Sequence, residues 1–291
     1  MSGGVDKLIL LVSFIADEFL QLARERGVQK WGYRYVLNLL ETSFALPIIL
    51  YCDGVHDGRH KLEVLGVARL GLHRTRRLLR KVLGHLSGAR IYRIDLCTDI
   101  LGVPVHDLAD MFSVSRVQNL MIFRKRGAWS FYLQNSAHKT VVLYDKAKQL
   151  RATRNHAADM LGPNDQLSRI EVQLSGPAVP FRKIRHIHRY AEIDLFPDVK
   201  FRRLKSLPST AKPPHRLASV GLQRLIRRYG LQATKKQFSP PEWKYIEDLF
   251  LQRVETGQLV DIRGRMKKSI EDWLNNRLRF PRLPFKGREG S

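Results

Sequence analysis

The sequence is short of cysteine and of long hydrophobic runs, and each shortage excludes a class of protein. Cys52 and Cys97 are the only cysteines in 291 residues, so the chain has neither a disulfide framework nor a zinc-binding spacing. The apolar stretch LILLVSFIA near the start is about half the length that a membrane-spanning helix needs. Charged residues flank it and no small-residue cleavage site follows, which argues against a signal peptide. We therefore expect a cytoplasmic protein.

Acidic residues are also scarce. Lys and Arg number 51 against 27 Asp and Glu, which gives a formal net charge of +24. So much positive charge favours a polyanionic partner, and nucleic acid is the first candidate. A basic membrane-surface protein would need a long amphipathic or apolar segment, and the sequence shows none. We therefore expect nucleic acid as the partner, and no membrane.

Strand and helix patterns alternate over the first 200 residues. Apolar alternation predicts strands over 8–14, 44–54, 60–70, 91–100 and 167–176. The segment 129–149 predicts a hairpin with a turn around Asn135 and Ser136. Helical spacing predicts helices over 15–26, 73–86, 105–114 and 146–159. These elements predict an α+β fold with a central antiparallel sheet and helices on one face.

Helical patterns dominate after about residue 200, and Ser239-Pro240 is typical of a helix start. Residues 201–291 contain 21 Lys and Arg and 8 Asp and Glu, so 21 − 8 = 13 of the 24 net positive charges lie there. This basic surface either binds DNA, with Arg227 and Arg228 as candidates, or is a solvated surface. We divide the chain into an α+β domain, 1–205, and a basic helical DNA-binding region with a flexible tail, 206–291.

Three predicted strands repeat one pattern, in which a base and a carboxylate alternate with apolar residues. The charged pairs are Lys61 and Glu63, Arg93 and Asp95, and Arg169 and Glu171. Side chains two apart on a strand share a face, so one face of the sheet would carry several carboxylates. Clustered carboxylates bind hard divalent cations, Mg²⁺ or Mn²⁺. The alternative is a solvated face on which arginines and carboxylates pair across strands.

The stretch TVVLYDKAKQL ends a strand on Tyr144, with Lys146 and Lys148 close behind. Alternation places Tyr144 on the less apolar face of this strand. A phenol is a poor nucleophile unless it is activated, and the two ammonium groups could stabilise the phenolate and the phosphate charge. The alternative is an aromatic residue that packs in the core. Trp129, Phe131 and Tyr132 could stack on unpaired bases, or pack in the core.

In order and spacing, RIDLCTD, HKTVVLYDKAKQL and LSRIEVQLSG resemble the rolling-circle replication initiators of filamentous phages, the gene II/gene X replication protein type, and related plasmid initiation factors. The resemblance covers about residues 5 to 205. It implies a metal-dependent endonuclease of the bacterial cytoplasm that binds origin DNA, both duplex and single-stranded, and nicks one strand. The enzyme keeps the 5′ phosphate on a tyrosine, leaves a 3′-OH for the host replication machinery, and rejoins the strand. The resemblance assigns the nucleophile to Tyr144 and metal-binding carboxylates to Asp95 and Glu171. Glu63, from the repeated strand pattern, is a further metal candidate.

Other residues are secondary candidates within this resemblance. Tyr132 is the second choice as nucleophile. His138 could contact phosphate or metal, and we group it with Lys139, Arg93 and Arg169 as DNA-binding residues. Many rolling-circle nickases bind metal through two histidines around an apolar residue, and His186-Ile187-His188 is such a triplet; if it binds the metal, Glu171 loses its role. The alternatives are a non-catalytic origin-binding protein and a mobilisation relaxase.

Overall fold

The structure is a computed structural model that describes residues 3–30, 32–55, 57–125, 128–152, 161–162, 165–197, 199–254 and 261–277. It is an α+β protein with a large antiparallel sheet and several helices. The chain forms two compact units, each assembled from separate stretches of sequence. The division into a domain 1–205 and a region 206–291 stays a prediction.

The first unit comprises the described residues of Met1–Tyr92, Phe181–Ala191 and Lys267–Ser291. Its antiparallel strands lie in the order β2-β3-β4-β5-β1. They are β1 (Gly4–Val12), β2 (Val28–Lys30), β3 (Tyr33–Asn38), β4 (Ile48–Gly54) and β5 (His60–Val64). The helices are α1 (Asp17–Arg26) and α2 (Val67–Leu83), and a 3-10 segment, Ile184–Ala191, belongs to the same unit.

Trp273 packs in the core of this unit. It lies in α8 (Ile262–Leu274), is fully buried, and donates a hydrogen bond of 2.8 Å from Nε1 to the carbonyl of Val67. Gly4, at a φ of +113°, lies against it, and a Cβ there would approach the Trp273 Cβ to 2.7 Å. Only glycine combines this backbone conformation with so close an approach. Residues far apart in sequence therefore share one core.

The second unit comprises the described residues of Arg93–Pro180 and Glu192–Met266. Its main strands are antiparallel and lie in the order β6-β11-β10-β9-β8. They are β6 (Arg90–Leu101, from Arg93 onward), β8 (Asn119–Lys125), β9 (Ala128–Ser136), β10 (Lys139–Asp145) and β11 (Leu167–Ser175). A three-stranded sheet in the order β13-β12-β7 joins β7 (Phe112–Val114), β12 (Val199–Leu204) and β13 (Leu251–Arg253).

The helices of the second unit are α3 (Val105–Ala109), α4 (Lys146–Ala152), α5 (Pro213–Tyr229), α6 (Leu231–Lys235) and α7 (Pro240–Phe250). Ala109 of α3 and Ala233 of α6 lie over Leu120, Ile122, Phe131, Leu133 and Leu143, the apolar face of β8, β9 and β10. By contrast, α4 packs on Leu167, which shares the strand face of Arg169. The expectation of helices on one face thus holds for α3 and α6 and not for α4.

Several sequence predictions need correction. The strand predicted over 60–70 ends at Val64, and α2 starts at Val67, well before the predicted residue 73. The helix predicted over 105–114 ends at Ala109, because Phe112–Val114 pairs as a strand with β12. Helices do dominate the described residues after 200, as predicted, although β12 and β13 also lie there. The helix start at Ser239-Pro240 and the 129–149 hairpin are confirmed, although the turn lies at residues 137–138. The predicted helix beyond residue 152 and the tail 281–291 lie outside the described residues.

Candidate functional site

The candidate site lies on one face of β6, β11 and β10 in the second unit, here called the polar face. Residues directly opposite each other on antiparallel strands project from the same side. The pairing gives three rows across the strands: Tyr144, Arg169 and Asp99; Val142, Glu171 and Cys97; Thr140, Gln173 and Asp95. The strand registers thus bring Tyr144, Glu171 and Asp95, which are far apart in sequence, to one surface.

Arg169 occupies the centre of the first row. It is 5% exposed, and its guanidinium donates to both carboxylate oxygens of Asp99, at 2.6 Å and 3.0 Å. Burial alone would lower the pKa of this guanidinium, but the nearby groups of Cys97, Asp99 and Tyr144 raise it well above its ordinary value. A fixed, permanently charged cation therefore lies beside the tyrosine.

The carboxylates of the polar face are also hydrogen bonded. Asp95 is 3% exposed and accepts two hydrogen bonds from Arg93, at 2.8 Å and 2.9 Å. Glu171, 6% exposed, accepts a 2.7 Å hydrogen bond from the Gln173 amide. Glu171 and Asp95 are diagonal neighbours across β11 and β6, a relation that keeps side chains within reach of a common ligand.

Tyr144 is half-buried at the end of β10, directly before α4. The Lys146 Nζ lies 5.7 Å from the centre of its ring and donates to Gln149 at 2.8 Å. The Lys148 backbone N–H donates to Asp145 at 2.9 Å, and its Nζ lies 3.7 Å from the same carboxylate. Lys146 is thus next to the tyrosine, whereas Lys148 pairs with Asp145.

Aromatic residues continue the polar face beyond Tyr144. Phe123 of β8 is opposite Ser130 of β9, which is opposite Tyr144. Phe123 is 52% exposed, and its ring packs edge-on against Tyr132 with the ring centres 5.5 Å apart. Tyr132 is opposite Val142, one row away from Tyr144. An exposed aromatic surface therefore borders the candidate nucleophile.

The other two aromatic residues of β9 lie on the opposite side. Trp129 and Phe131 are two apart on the strand, their rings stack with the centres 6.0 Å apart, and Phe131 is buried. Phe131 lines the apolar face together with Leu133 and Leu143. Of the three aromatic residues that the sequence nominated for base stacking, only Tyr132 shares the face of Tyr144.

The other metal candidates, Glu63, His186 and His188, each contact a neighbouring basic residue. Glu63 lies on β5 in the first unit, 2.7 Å from the Lys7 ammonium, and accepts a 3.5 Å hydrogen bond from Tyr51. His186 accepts a 3.2 Å hydrogen bond from Arg185, and His188 Nδ1 is 3.1 Å from the Arg185 carbonyl. Within the described part of the chain, no group of three or more His, Cys, Asp or Glu residues is placed to hold a metal ion.

The expected DNA-binding residues lie in different settings. His138 is exposed in the turn before Lys139, and its carbonyl accepts a 2.9 Å hydrogen bond from Ser175. Arg227 and Arg228 are exposed near the end of α5, and the Arg228 guanidinium is 5.2 Å from the Tyr229 ring centre. Arg93 and Arg169 are instead engaged with carboxylates of the polar face.

Sequence reasoning allowed for arginine–carboxylate pairs across strands, but it did not identify Asp99 as the partner of Arg169, and it missed the contribution of Phe123. Alternation in RIDLCTD does place Asp99 on the face of Asp95, but its partner lies 70 residues away, and no local pattern indicates it. The strand that carries Phe123 was not predicted, because the segment 119–125 lacks a clear alternation of apolar and polar residues.

No protein-family model matches this chain, and no curated protein is similar enough in sequence to be counted as a relative. Among the described residues, no helix is both long enough and apolar enough to cross a membrane.

Proposed function

We propose that this protein is a DNA nicking-joining enzyme of the rolling-circle initiator type, with Tyr144 as its nucleophile. The observation that carries the proposal is the pairing of Tyr144 with Arg169, on the face shared with Glu171 and Asp95. A tyrosine that packed in the core would instead share the apolar face of Leu143. The net charge of +24 favours a DNA substrate.

The proposed step is a phosphoryl transfer. The Tyr144 Oη bonds to the phosphorus of the scissile phosphodiester as the bond from phosphorus to the 3′ oxygen breaks. The phenolic proton is released to solvent, the departing oxygen takes up a proton as the 3′-OH, and the 5′ phosphate remains on the tyrosine. Rejoining reverses these events, because the phosphotyrosyl ester retains the energy of the phosphodiester.

Arg169 supplies the electrostatic part of this step. Its guanidinium is held by Asp99 in a buried position beside Tyr144, so its charge is already in place when the phenolate forms. A preorganised cation stabilises developing negative charge without reorganisation. Lys146, whose ammonium lies near the tyrosine ring, adds a second positive charge.

The resemblance also implies Mg²⁺ or Mn²⁺. Asp95 and Glu171 are hard oxygen donors on neighbouring strands, and two carboxylates plus a substrate phosphate are a usual ligand set for Mg²⁺. The ligand chemistry of these two residues therefore fits a metal ion, although the Asp95 carboxylate would bind the metal and Arg93 together. When bound, the metal would polarise the phosphodiester.

A second candidate function is DNA binding without catalysis. It is favoured by the two arginine-carboxylate pairs, Arg93 with Asp95 and Arg169 with Asp99, which neutralise much of the polar face. The two functions differ in whether the DNA strand is cut.

The decisive experiment is a nicking assay on supercoiled plasmid carrying the protein's own replicon origin, with Mg²⁺ or Mn²⁺. Products are resolved on denaturing gels before and after protease treatment. We expect the wild type to relax the plasmid and remain covalently attached, and Tyr144→Phe to bind DNA without cutting. Tyr132→Phe, a matched loss of one hydroxyl on the same face, should still nick. Nicking that survives in Tyr144→Phe but not in Tyr132→Phe would transfer the role to Tyr132, and binding without nicking by the wild type would establish the second candidate.

A further inference from the structure

A basic cleft lies in the first unit, and the proposed chemistry at Tyr144 does not use it. Its cationic lining comes from Arg76 and Arg80 of α2 and from Lys183 and Arg185 beside or within the 3-10 segment Ile184–Ala191. Leu86, Ser87 and Ile184 complete the lining of a cleft of about 570 Å³. All of these residues belong to one compact unit.

The side of the cleft that carries Lys183 and Arg185 is held in place by backbone contacts. The Ile91 N–H donates to the Arg182 carbonyl at 2.7 Å, and Arg90 forms a β-bridge with Lys183. Buried Ile184 and Ile187 anchor the 3-10 segment from below. The cations therefore project from a prearranged backbone, which lowers the entropy lost when a ligand binds.

Arg76 and Arg80 are one helical turn apart and share a face of α2, an arrangement in which like charges repel. Burial and the charge of Arg80 lower the pKa of Arg76. Among the described residues, no acidic side chain lines the cleft, and no carboxylate forms an ion pair with any of its four cations. Uncompensated like charges of this kind are stabilised by an anionic ligand.

The lining also indicates which anion fits. A cleft of this size is much larger than a single phosphate and lies in the range of small-ligand sites. Among the described residues that line it, none is aromatic and able to stack on a base, and Ser87 is the only neutral polar side chain. Such a surface can contact phosphates but offers little for recognising bases. A run of backbone phosphates matches both its charge and its size.

We propose that this cleft binds the phosphate backbone of a nucleic acid strand, independently of base sequence. The inference extends the proposed function by giving the DNA a second binding surface, but it does not require Tyr144 to be a nucleophile. A free polyphosphate shares the same chemistry, so the experiment separates the two sources.

The test measures binding of a fluorescently labelled 30-nucleotide single strand and of its duplex by anisotropy, over 50 to 200 mM salt. The cleft variant is Arg80→Gln/Lys183→Gln, in which both residues are exposed. The control is Arg74→Gln/Arg77→Gln, an equal loss of charge at exposed positions of α2 that do not line the cleft. All measurements use a Tyr144→Phe background, so that the result does not depend on nicking.

We expect the cleft variant to bind more weakly and its dependence of log affinity on log salt to fall by about 2, one for each phosphate that the variant no longer neutralises. The control should change both quantities much less. Equal weakening in the two variants would show diffuse attraction and overturn the proposal, as would no weakening in either. Saturating inorganic triphosphate should compete only weakly; if it binds the cleft more tightly than the oligonucleotide does, the ligand is a free polyphosphate and the nucleic-acid assignment is wrong.

Discussion

At the scale of single residues, the pairing of Arg169 with Asp99 determines what the polar face can do. Both groups are almost fully buried, and a buried charge without its partner is strongly destabilising. The pair therefore holds a cation next to Tyr144 and also contributes to the integrity of β6 and β11. Stability and activity should respond differently to its removal.

We predict that Arg169→Gln lowers the free energy of unfolding by about 3–5 kcal/mol, because it leaves the Asp99 carboxylate buried and unpaired. The double variant Arg169→Gln/Asp99→Asn should recover much of that loss, since neither charge remains. Urea unfolding of the wild type, both single variants and the double variant measures the coupling. The double variant should still nick poorly, because the cation is gone. Full nicking activity in that variant would show that Arg169 has no part in the reaction.

Asp110 should make the stability of the protein depend on pH. Burial, followed by the charge of Asp107, raises the pKa of Asp110 to about 6 from 3.8, and Arg227 opposes the shift. Between these values the native state binds more protons than the unfolded state, so the free energy of unfolding falls as pH rises from about 4 to about 6. Asp110→Asn should remove this pH dependence of the free energy of unfolding, whereas the control Asp248→Asn, at an exposed position, should keep it. Urea unfolding at pH 4, 5, 6 and 7 tests it; identical slopes in Asp110→Asn and the wild type would contradict the assignment.

At the scale of elements, the strands β8 and β9 extend the polar face with aromatic residues. Because Phe123 is half exposed and meets Tyr132 edge-on, we predict that Phe123→Ala weakens single-strand binding by about 1–3 kcal/mol, the usual value for loss of one stacked base. Tyr245→Ala removes a similarly exposed aromatic residue from α7 and should leave binding unchanged. Fluorescence anisotropy with a labelled oligonucleotide measures both. Equal effects of the two substitutions would mean that Phe123 is not a stacking site.

The strands also show which parts of the fold the sequence pattern could predict. Alternation in RIDLCTD, KTVVLY and LSRIEVQLSG predicted three strands and placed Asp95, Glu171 and Tyr144 on the less apolar face of each, because alternation determines which side chains of one strand share a face. Short strands such as Phe112–Val114 and Leu251–Arg253 were missed. Three residues carry almost no periodic signal, and their conformation depends on pairing with β12, which lies elsewhere in the sequence.

The candidate site was predicted in part for the same reason. The residues on its face follow from local alternation, but the strand order that brings Arg169 beside Asp99 is a long-range property. The sequence therefore nominated Arg169 for contact with DNA, while the structure shows it bonded to a carboxylate. The sequence pattern could not distinguish Glu63 from Asp95 and Glu171 as metal ligands. Lys61 and Glu63 repeat the alternation of base and carboxylate of the other two strands, although Glu63 lies in a different unit.

At the scale of the whole molecule, we expect nicking to require a metal ion and DNA binding to depend on the net charge alone. We predict that EDTA abolishes nicking and that Mg²⁺ or Mn²⁺ restores it, while DNA binding at low salt changes little, since the net charge of +24 does not depend on a metal. Asp95→Asn and Glu171→Gln should raise the metal concentration needed for half-maximal nicking. Glu63→Gln should leave this metal concentration unchanged, because Glu63 is paired with Lys7 in the structure. Robust nicking in EDTA would exclude the metal from the reaction.

Trp273 also has a consequence for how the chain acquires its structure during synthesis. The strands β1 to β5 leave the ribosome early, but Val67 and Gly4 meet their packing partner only when residue 273 emerges. At about 5–20 residues per second, that delay is on the order of 10 to 40 seconds. During it, the apolar surface that Trp273 covers is open to chaperones and to other nascent chains. Fragments that stop before α8, including one ending at residue 205, should therefore aggregate or be degraded, and the reaction they were made to test would be lost for reasons unrelated to its chemistry.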